Sequence, residues 1–499
     1  MKYRSLAGSC LTWVVLLFGC SQPEPQILSI EGNWVCTPET ALDYPESKRI
    51  TALLIGESNG GIIEARGCFM WDGSYLNPWN LEQASFSDST QTLTLVDKDG
   101  DRYEGILDSD QHTIRGYVWS GDPGQDTPID TVDFIRADPQ LAQRLFYARM
   151  PGSNGSTAYT YKSPEALEDG LEVANINTFT GDSLVLYSLL SNIISQDYGR
   201  LESLLVMKDS LLVLEEYFYG YDKNQVHNIH SCTKSIASLV LGIVMEHHEN
   251  VELSHPLFDF FPEYDSLAIN GKELLSLEHL LCMTTGFPVD DTQEWVDLDD
   301  QLLNILSRPL AEVPGEVFQY NNNNSILLGG VLQNITGEPA DQLVEKYLFG
   351  PMGISNYQWT YVNGLPQCHS DLQMLPRDMA KIGQLVLNNG KWGDHQLVPK
   401  AWIRNSTRPH LAESEYFDYG YHWWLRSASN KAWWDKPETR SNAGHEIVIA
   451  LGFGGQYIMI VRDLNLVVVT TSSDYANGHM ARSKIPLVIE KLIPLFVND

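Results

Sequence analysis

The sequence predicts an α+β fold preceded by a small all-β domain, on three observations. Residues 30–137 carry short period-two segments separated by turn signals, as the strands of an antiparallel sheet do. Residues 138–175 are polar and rich in Gly, Ser and Pro, as in Pro151-Gly152-Ser153-Asn154-Gly155-Ser156, which is linker composition, with room for a short helix near its start. Residues 176–499 then place strand-like runs at both ends and amphipathic helices between them, the segregated arrangement of an α+β domain. Size agrees, because 499 residues, 43% of them hydrophobic, exceed the roughly 100–200 residues of one ordinary domain. The 33 Lys and Arg against 64 Asp and Glu leave a net charge of −31, so the basic footprint of a nucleic-acid binder is missing. With 19% charged and 10% aromatic residues, wholesale disorder is excluded as well.

Taken in order, the chain opens with Lys2 and Arg4 before an apolar run from Leu11 to Phe18, broken only by Thr12. That run is too short for a spanning helix, which needs about 20 apolar residues, and suits an export signal over 1–19. It ends in Leu17-Phe18-Gly19-Cys20, followed by the polar Ser21-Gln22-Pro23-Glu24-Pro25. The junction resembles the lipobox of bacterial lipoproteins. This implies acylation of Cys20, a lipidated tether over 20–29, and a membrane-anchored bacterial protein in the periplasm or at the cell surface. An ordinary cleaved secretory signal is the alternative. No other segment approaches about 18 consecutive apolar residues, so membrane attachment is expected through lipid alone.

In the β region, Gly32-Asn33-Trp34 opens the first strand, Thr92-Leu93-Thr94-Leu95 alternates, and Asp99-Gly100 marks a turn. Tyr103 to Leu107 and Thr113 to Trp119 read as successive antiparallel strands around Asp108-Ser109-Asp110. The region is similar to the small lipocalin-like β-barrel that precedes the catalytic domain in some bacterial serine hydrolases. Gly56-Glu57-Ser58-Asn59-Gly60 formally matches GxSxG, but that elbow needs a helix after it, and Gly61-Ile62-Ile63 reads as a turn into a strand. Of the seven cysteines, Cys10 leaves with the signal, and Cys36 and Cys68 can pair in an oxidising compartment. Cys232, Cys282 and Cys368 lack metal spacing and read as buried thiols. His227-x-x-His230 and His247-His248 have no third ligand nearby, so no metal is expected.

The second region carries the chemistry. Leu184 to Ile194 has helical periodicity, and Leu204 to Met207 and Leu211 to Tyr219 are strands across a Lys208-Asp209-Ser210 turn. Ser231-Cys232-Thr233-Lys234 is followed by Ile236, Leu239, Val240, Ile243 and Val244, the spacing of an amphipathic helix beginning at or near the serine. Positions i and i+3 share a helix face. A desolvated Lys234 with a lowered pKa can therefore take the Ser231 proton, while free N–H groups at a helix start suit a developing oxyanion. Tyr320-Asn321-Asn322 sits on a turn before the apolar Ile326 to Leu332. Tyr457 to Thr471 has strand character with a turn near Asp463-Leu464-Asn465.

These segments are ordered as in a known family. His227 to Ser235, Leu257 to Tyr264, Leu277 to Gly286, Pro314-Gly315 through Tyr320-Asn321-Asn322 to Gly329, Pro376 to Leu385, and Tyr419 to Trp424 match in sequence. Residues 176–499 resemble the serine β-lactamase-related family of class C β-lactamases, DD-peptidases, family VIII esterases and nylon-oligomer hydrolases. The resemblance implies a β-lactamase/DD-peptidase-like antiparallel sheet with helices, and a Ser231 acyl-enzyme with Lys234 and Tyr320 as bases, Tyr320 hydrogen-bonded to Lys234. It also implies an oxyanion hole from the Ser231 and Phe453 N–H groups, and Asn322 orienting the lysine or substrate.

The third family box departs from the β-lactamase pattern. Where a Lys-Thr-Gly or His-Thr-Gly strand would supply a cation, this chain has Ala450-Leu451-Gly452-Phe453-Gly454-Gly455-Gln456, similar to the GxGGQ form of nylon-oligomer-hydrolase-like members. Gly452, Phe453 and Gly454 are thus the substrate-side residues, with glycines that let substrate approach an edge strand. His445 lies out of register and reads as structural. The expectation is a hydrolase of a small or peptide-like ester or amide, without cofactor or nucleic acid. The rivals are a DD-peptidase or β-lactamase, a non-hydrolytic sensor lipoprotein, and a scaffold centred on the β domain, whose own partner is unassigned.

Overall fold

The computed structural model describes residues 32–36, 49–59, 62–71, 74–79, 81–97, 100–119, 121, 127–128, 130–149, 159–180, 183–289, 300–412, 417–427, 444–475 and 478–497. Cys10, Cys20, the signal segment and the tether lie outside the described residues, as does the Cys68 side chain.

The first region is an antiparallel sheet of nine strands: β1 (Gly32–Cys36), β2 (Arg49–Asn59), β3 (Ile62–Trp71), β4 (Ser74–Trp79), β5 (Leu81–Ser87), β6 (Thr92–Asp97), β7 (Arg102–Leu107), β8 (Thr113–Trp119) and β9 (Asp130–Arg136). Its order runs β2-β1-β9-β8-β7-β6-β5-β3, and β3 also pairs with β2, so eight strands close into a ring and leave only β4 outside it. Closure removes the exposed edges that an open sheet would present. The interior is filled by alternate residues, among them Trp34, Leu53, Leu93, Leu95, Tyr103, Ile114 and Phe134. Gly105 and Gly116 oppose each other across β7 and β8 because Tyr103 needs the space; a Cβ on Gly116 would come 2.6 Å from its ring. The Tyr103 hydroxyl donates to the Val132 carbonyl at 3.1 Å, satisfying the one polar atom of that ring. Gly56-Glu57-Ser58 lies within β2, which bulges between Ile55 and Ser58 and turns back into β3. No helix follows it, and the elbow geometry is absent.

Helix α1 (Pro139–Phe146) starts with the Asp138 side chain accepting from the Gln140 and Leu141 amides, a standard N-cap. Leu145 and Phe146 pack with Val35 and Ala52 of the β ring. The far end of α1 faces the second region: its Leu145 carbonyl accepts from the buried Arg200 guanidinium at 2.9 Å, and Tyr219 N donates to the Ala148 carbonyl at 3.0 Å.

The second region is built on another nine-stranded sheet. β10 (Glu172–Val173), inside the stretch with linker composition, runs parallel to β12 (Leu211–Tyr217), and β12 pairs antiparallel with β11 (Leu201–Lys208). The sheet continues through Leu466–Ser472, Gln456–Val461, Ile447–Gly452, Trp424–Arg426, Asp418–Tyr419 and Leu411–Ala412. The late strand run is therefore two strands, split by a 3₁₀ turn at Arg462–Leu464 and by Asn465 at φ 45°.

Both faces of this sheet are covered, which is why its strands are continuously apolar rather than alternating. Leu205, Met207, Leu212, Ala450, Ile458 and Val467 join one core with α3 (Cys232–His247), α6 (Asn322–Thr336) and the Pro376–Leu387 helix. Their strand neighbours Leu204, Val206, Val213, Ile449, Met459 and Val468 join the other, with α2 (Ser183–Ile194) and the C-terminal helical segment that includes Ile485, Val488 and Ile493. Helices α4 (Leu277–Leu281) and α5 (Gln301–Ser307) complete the first layer against α6.

Candidate active site

Ser231 stands where strand turns abruptly into helix. β13 (His227–Asn228) pairs with Leu372–Met374, and Ile229 N donates to the Leu372 carbonyl at 2.9 Å. His230 then adopts φ 46°, a left-handed backbone that costs energy in a residue with a Cβ. The Asn228 side chain holds it by accepting from His230 N at 2.8 Å, and Thr233 Oγ1 donates to the His230 carbonyl at 2.6 Å. Ser231 becomes the N-cap of α3, with no side-chain capping bond, so its hydroxyl is left for other work.

Lys234, one turn on, is 1% exposed. Its Nζ lies 2.9 Å from Ser231 Oγ, 2.9 Å from Asn322 Oδ1 and 2.6 Å from the His369 carbonyl. Burial pushes its pKa down to about 7, against a smaller upward pull from Cys232 and Asp371. The Tyr320 phenol is raised well above its ordinary value, chiefly by burial, against a smaller downward pull from the Ser231 side chain. Its ring is stacked on Trp424 at 5.5 Å between centroids. The hydrogen bonds of Lys234 run to Ser231, Asn322 and the His369 carbonyl, and the lysine meets Tyr320 at its ring, 5.0 Å from the centroid. An ammonium has three N–H groups, and those three acceptors use them all.

Asn322 reaches the lysine because Asn321 caps α6. The Asn321 Oδ1 accepts from Asn323 N at 3.0 Å, and its Nδ2 donates to the Phe287 carbonyl at 3.0 Å. Gly452 ends one strand and pairs with Gln456, and Phe453, Gly454 and Gly455 turn between the two strands, with Gly454 and Gly455 at φ 79° and 103°. A Cβ on Gly452 would strike the Ile229 carbonyl, so the turn lies against the segment that leads into Ser231. The strand is internal at Ile447–Ile449, paired with Trp424–Arg426. Only beyond Ile449 is it an edge on that side, among the described residues. The Phe453 ring, 58% exposed, sits edge-on to His230 at 5.9 Å and beside Tyr475 at 5.4 Å.

Of the contributors around these residues, Gln456 was visible in the GxGGQ stretch, whereas the His369 carbonyl and Asp371 carried no signal in the sequence. Gln456 locks the turn: its Nε2 donates to the Phe453 carbonyl at 3.2 Å, and its Oε1 accepts from Ser472 N at 3.2 Å. The His369 carbonyl and Asp371 come from a loop remote in sequence, and Asp371 is held by Asn228 Nδ2 at 3.1 Å. His227 and His230 diverge, His227 to Glu202 at 3.2 Å and His230 to Tyr475. His445 Nδ1 pairs with Asp463 at 2.5 Å. Cys36, Cys232, Cys282 and Cys368 are buried. The residues able to hold a metal lie elsewhere, at Glu278, Cys282 and His410.

A family model described as Beta-lactamase matches residues 202–492, more than half of the chain. The protein belongs to the beta-lactamase family. Among relatives of this beta-lactamase-family chain, the 6-aminohexanoate-dimer hydrolase of Paenarthrobacter ureafaciens is 20% identical over 319 residues, covering 58% of this chain and 78% of that one. A Salmonella enteritidis PT4 protein named "Putative D-alanyl-D-alanine carboxypeptidase" is 22% identical over 327 residues, covering 50% and 75%. The crystal structure of a "putative beta-lactamase" from Bacteroides dorei DSM 17855 superposes with a TM-score of 0.53 at 17% identity, covering 63% of this chain and 99% of that one. That last likeness concerns the fold alone.

Proposed function

We propose that this protein hydrolyses neutral esters or amides through an acyl-enzyme on Ser231. The observation that carries the proposal is the Lys234–Ser231 contact at 2.9 Å, made by a buried lysine whose pKa is brought to about 7. A neutral lysine amine has two N–H groups and one lone pair. Asn322 Oδ1 and the His369 carbonyl accept the two hydrogens, which turns the lone pair towards the serine hydroxyl. Lys234 then removes the serine proton as Oγ attacks the carbonyl. The Phe453 and Ser231 N–H groups meet the oxyanion. Tyr320, held as a phenol by burial, donates and relays protons at Ser231 and the leaving group rather than acting as a phenolate base. Water attacks the acyl-enzyme by the same route in reverse.

Charge supports a neutral substrate. Ala450 and Leu451 offer no cation before the turn, and the nearby carboxylate of Asp371 acts on both Lys234 and His230. A substrate carboxylate would be desolvated there without a cation from this strand, which is costly. Turnover of a p-nitrophenyl ester compared with nitrocefin tests the reading: the ester is expected to be faster by orders of magnitude. Nitrocefin as the better substrate would overturn it in favour of a β-lactamase or DD-peptidase, the direction suggested by the carboxypeptidase name of one relative.

We also infer that Cys20 is lipidated and tethers the protein to a membrane. The short apolar run ending at Gly19-Cys20 supports this, and no helix among the described residues is long and apolar enough to cross a membrane. A Cys20→Ser variant should be released from cell membranes; one that stayed bound would sink the assignment.

A further inference from the structure

We infer that Glu278, Cys282 and His410 form a binding site for a thiophilic divalent cation of the zinc type, separate from the Ser231 site. One ligating atom of each residue lies within 4.8 Å of the others. Glu278, in the first turn of α4, and Cys282, its C-cap, are four apart and so share a face, and His410 comes from the connection after the Lys400–Ser406 helix. Sequence spacing cannot find such a set, because the third ligand comes from a distant segment.

The surroundings of each ligand are those of a coordination site. His410 Nε2 faces the Asn405 carbonyl at 2.8 Å. A carbonyl only accepts, so the ring proton sits on Nε2 and the lone pair on Nδ1, the tautomer that a metal requires. Glu278 Oε1 accepts from the Tyr421 hydroxyl at 2.6 Å, which orients the carboxylate, and the Tyr421 ring stacks on His410 at 3.9 Å between centroids. One tyrosine thus positions two ligands. Cys282 is 6% exposed, so its sulfur meets little water.

A thiol, an imidazole and a carboxylate select a borderline-soft ion over Mg²⁺ or Ca²⁺, which prefer oxygen donors. On binding, the Cys282 S–H bond breaks, its proton leaves to solvent, and a metal–sulfur bond forms. Thiolate and carboxylate then neutralise the two positive charges, and water completes a tetrahedron. Ligands about 2.0–2.3 Å from zinc stand roughly 3.3–3.8 Å apart, so closure needs about 1 Å of side-chain movement. The site would brace the catalytic helix: His422 N donates to the Leu281 carbonyl at 3.2 Å, and the His422 ring lies between the Leu280 and Lys234 carbonyls.

The test is titration of the chelator-treated full chain with Co²⁺ and Cd²⁺, reading thiolate-to-metal charge-transfer absorption. One equivalent should produce the band, Cys282→Ser should abolish it, and His410→Ala should weaken binding at least tenfold. Zn²⁺ should raise the melting temperature of the wild type and of neither variant. Absence of a band, a band that survives Cys282→Ser, or unchanged affinity in His410→Ala would each overturn the site. His410 is partly exposed, so its variant keeps the test valid should the cysteine variant fold poorly. The same titration on Ser231→Ala is expected to be unchanged, which separates this inference from the proposed hydrolysis.

Discussion

Two buried lysines, Lys234 and Lys484, lie on opposite faces of the same sheet and do opposite things. Lys484, 0% exposed, is paired with Asp474, and Asp474 also accepts from Arg200 N at 3.0 Å. Its pKa is also lowered, because burial outweighs the opposing pull of the carboxylate, yet the carboxylate offsets part of that cost and the pair ties the last helices to the sheet. Lys234 has neutral acceptors instead, a hydroxyl, an amide and a carbonyl. With no carboxylate in contact, burial wins and the amine titrates near neutrality. A charged partner makes a buried lysine a structural clasp, whereas dipoles alone make it a base.

The largest expected effect is loss of the nucleophile. Ser231→Ala should abolish hydrolysis of a short aryl ester while its circular dichroism stays that of the wild type, and wild-type turnover would break the assignment. Lys234→Ala and Tyr320→Phe should each lower kcat by about 10²-fold or more, as removal of a proton-transfer group does.

The comparison is sharpened by making Lys234 resemble Lys484. Asn322→Asp places a carboxylate against the amine and should raise its apparent pKa by about 1–3. Activity depends on the unprotonated amine. The wild-type rate should therefore rise through about pH 7, and the variant should lose about tenfold or more at neutrality and recover in alkali. A pH–rate profile that does not move would refute the role given to the neutral acceptors.

The converse change is Asp474→Asn, which leaves Lys484 buried without its counter-ion and should cost about 3–5 kcal/mol by denaturant unfolding. The last change, Lys234→Met, is read in the pH dependence of melting. Below pH 7 the wild-type amine is protonated in both states, and the folded state carries the full cost of burying it. Between about 7 and 10.5 the unfolded chain binds the extra proton, so wild-type stability rises with pH. The methionine variant should accordingly melt higher than the wild type at low pH, with an advantage that fades towards pH 10.5.

Much of the second region is visible in sequence because its signals are local. Ser231 and Lys234 share a face within one helical turn, and the apolar spacing after them requires a helix packed on a sheet. The β region is legible for the same reason, from the alternation of Thr92-Leu93-Thr94-Leu95, although closure of the ring through β2 and β3 is not. Tyr320 was harder to place, since its neighbours are decided in space: the Lys234 amine hydrogen-bonds Ser231, Asn322 and the His369 carbonyl and meets Tyr320 at its ring.

By itself the sequence singled out Ser231 as the candidate nucleophile, Lys234 as its neighbouring amine, the turn that carries Asn322 and the lack of a cation at Ala450-Leu451-Gly452, all properties of residues a few positions apart. Tertiary structure alone decided that the His369 carbonyl completes the lysine's acceptors, that Gln456 locks the Phe453 turn, and that His410 meets Glu278 and Cys282. It also decided which buried lysine has a carboxylate partner and which has only neutral acceptors. A side chain's protonation depends on its desolvation and on the charges within a few ångströms, and those neighbours come from segments that only the packed sheet and helices bring together.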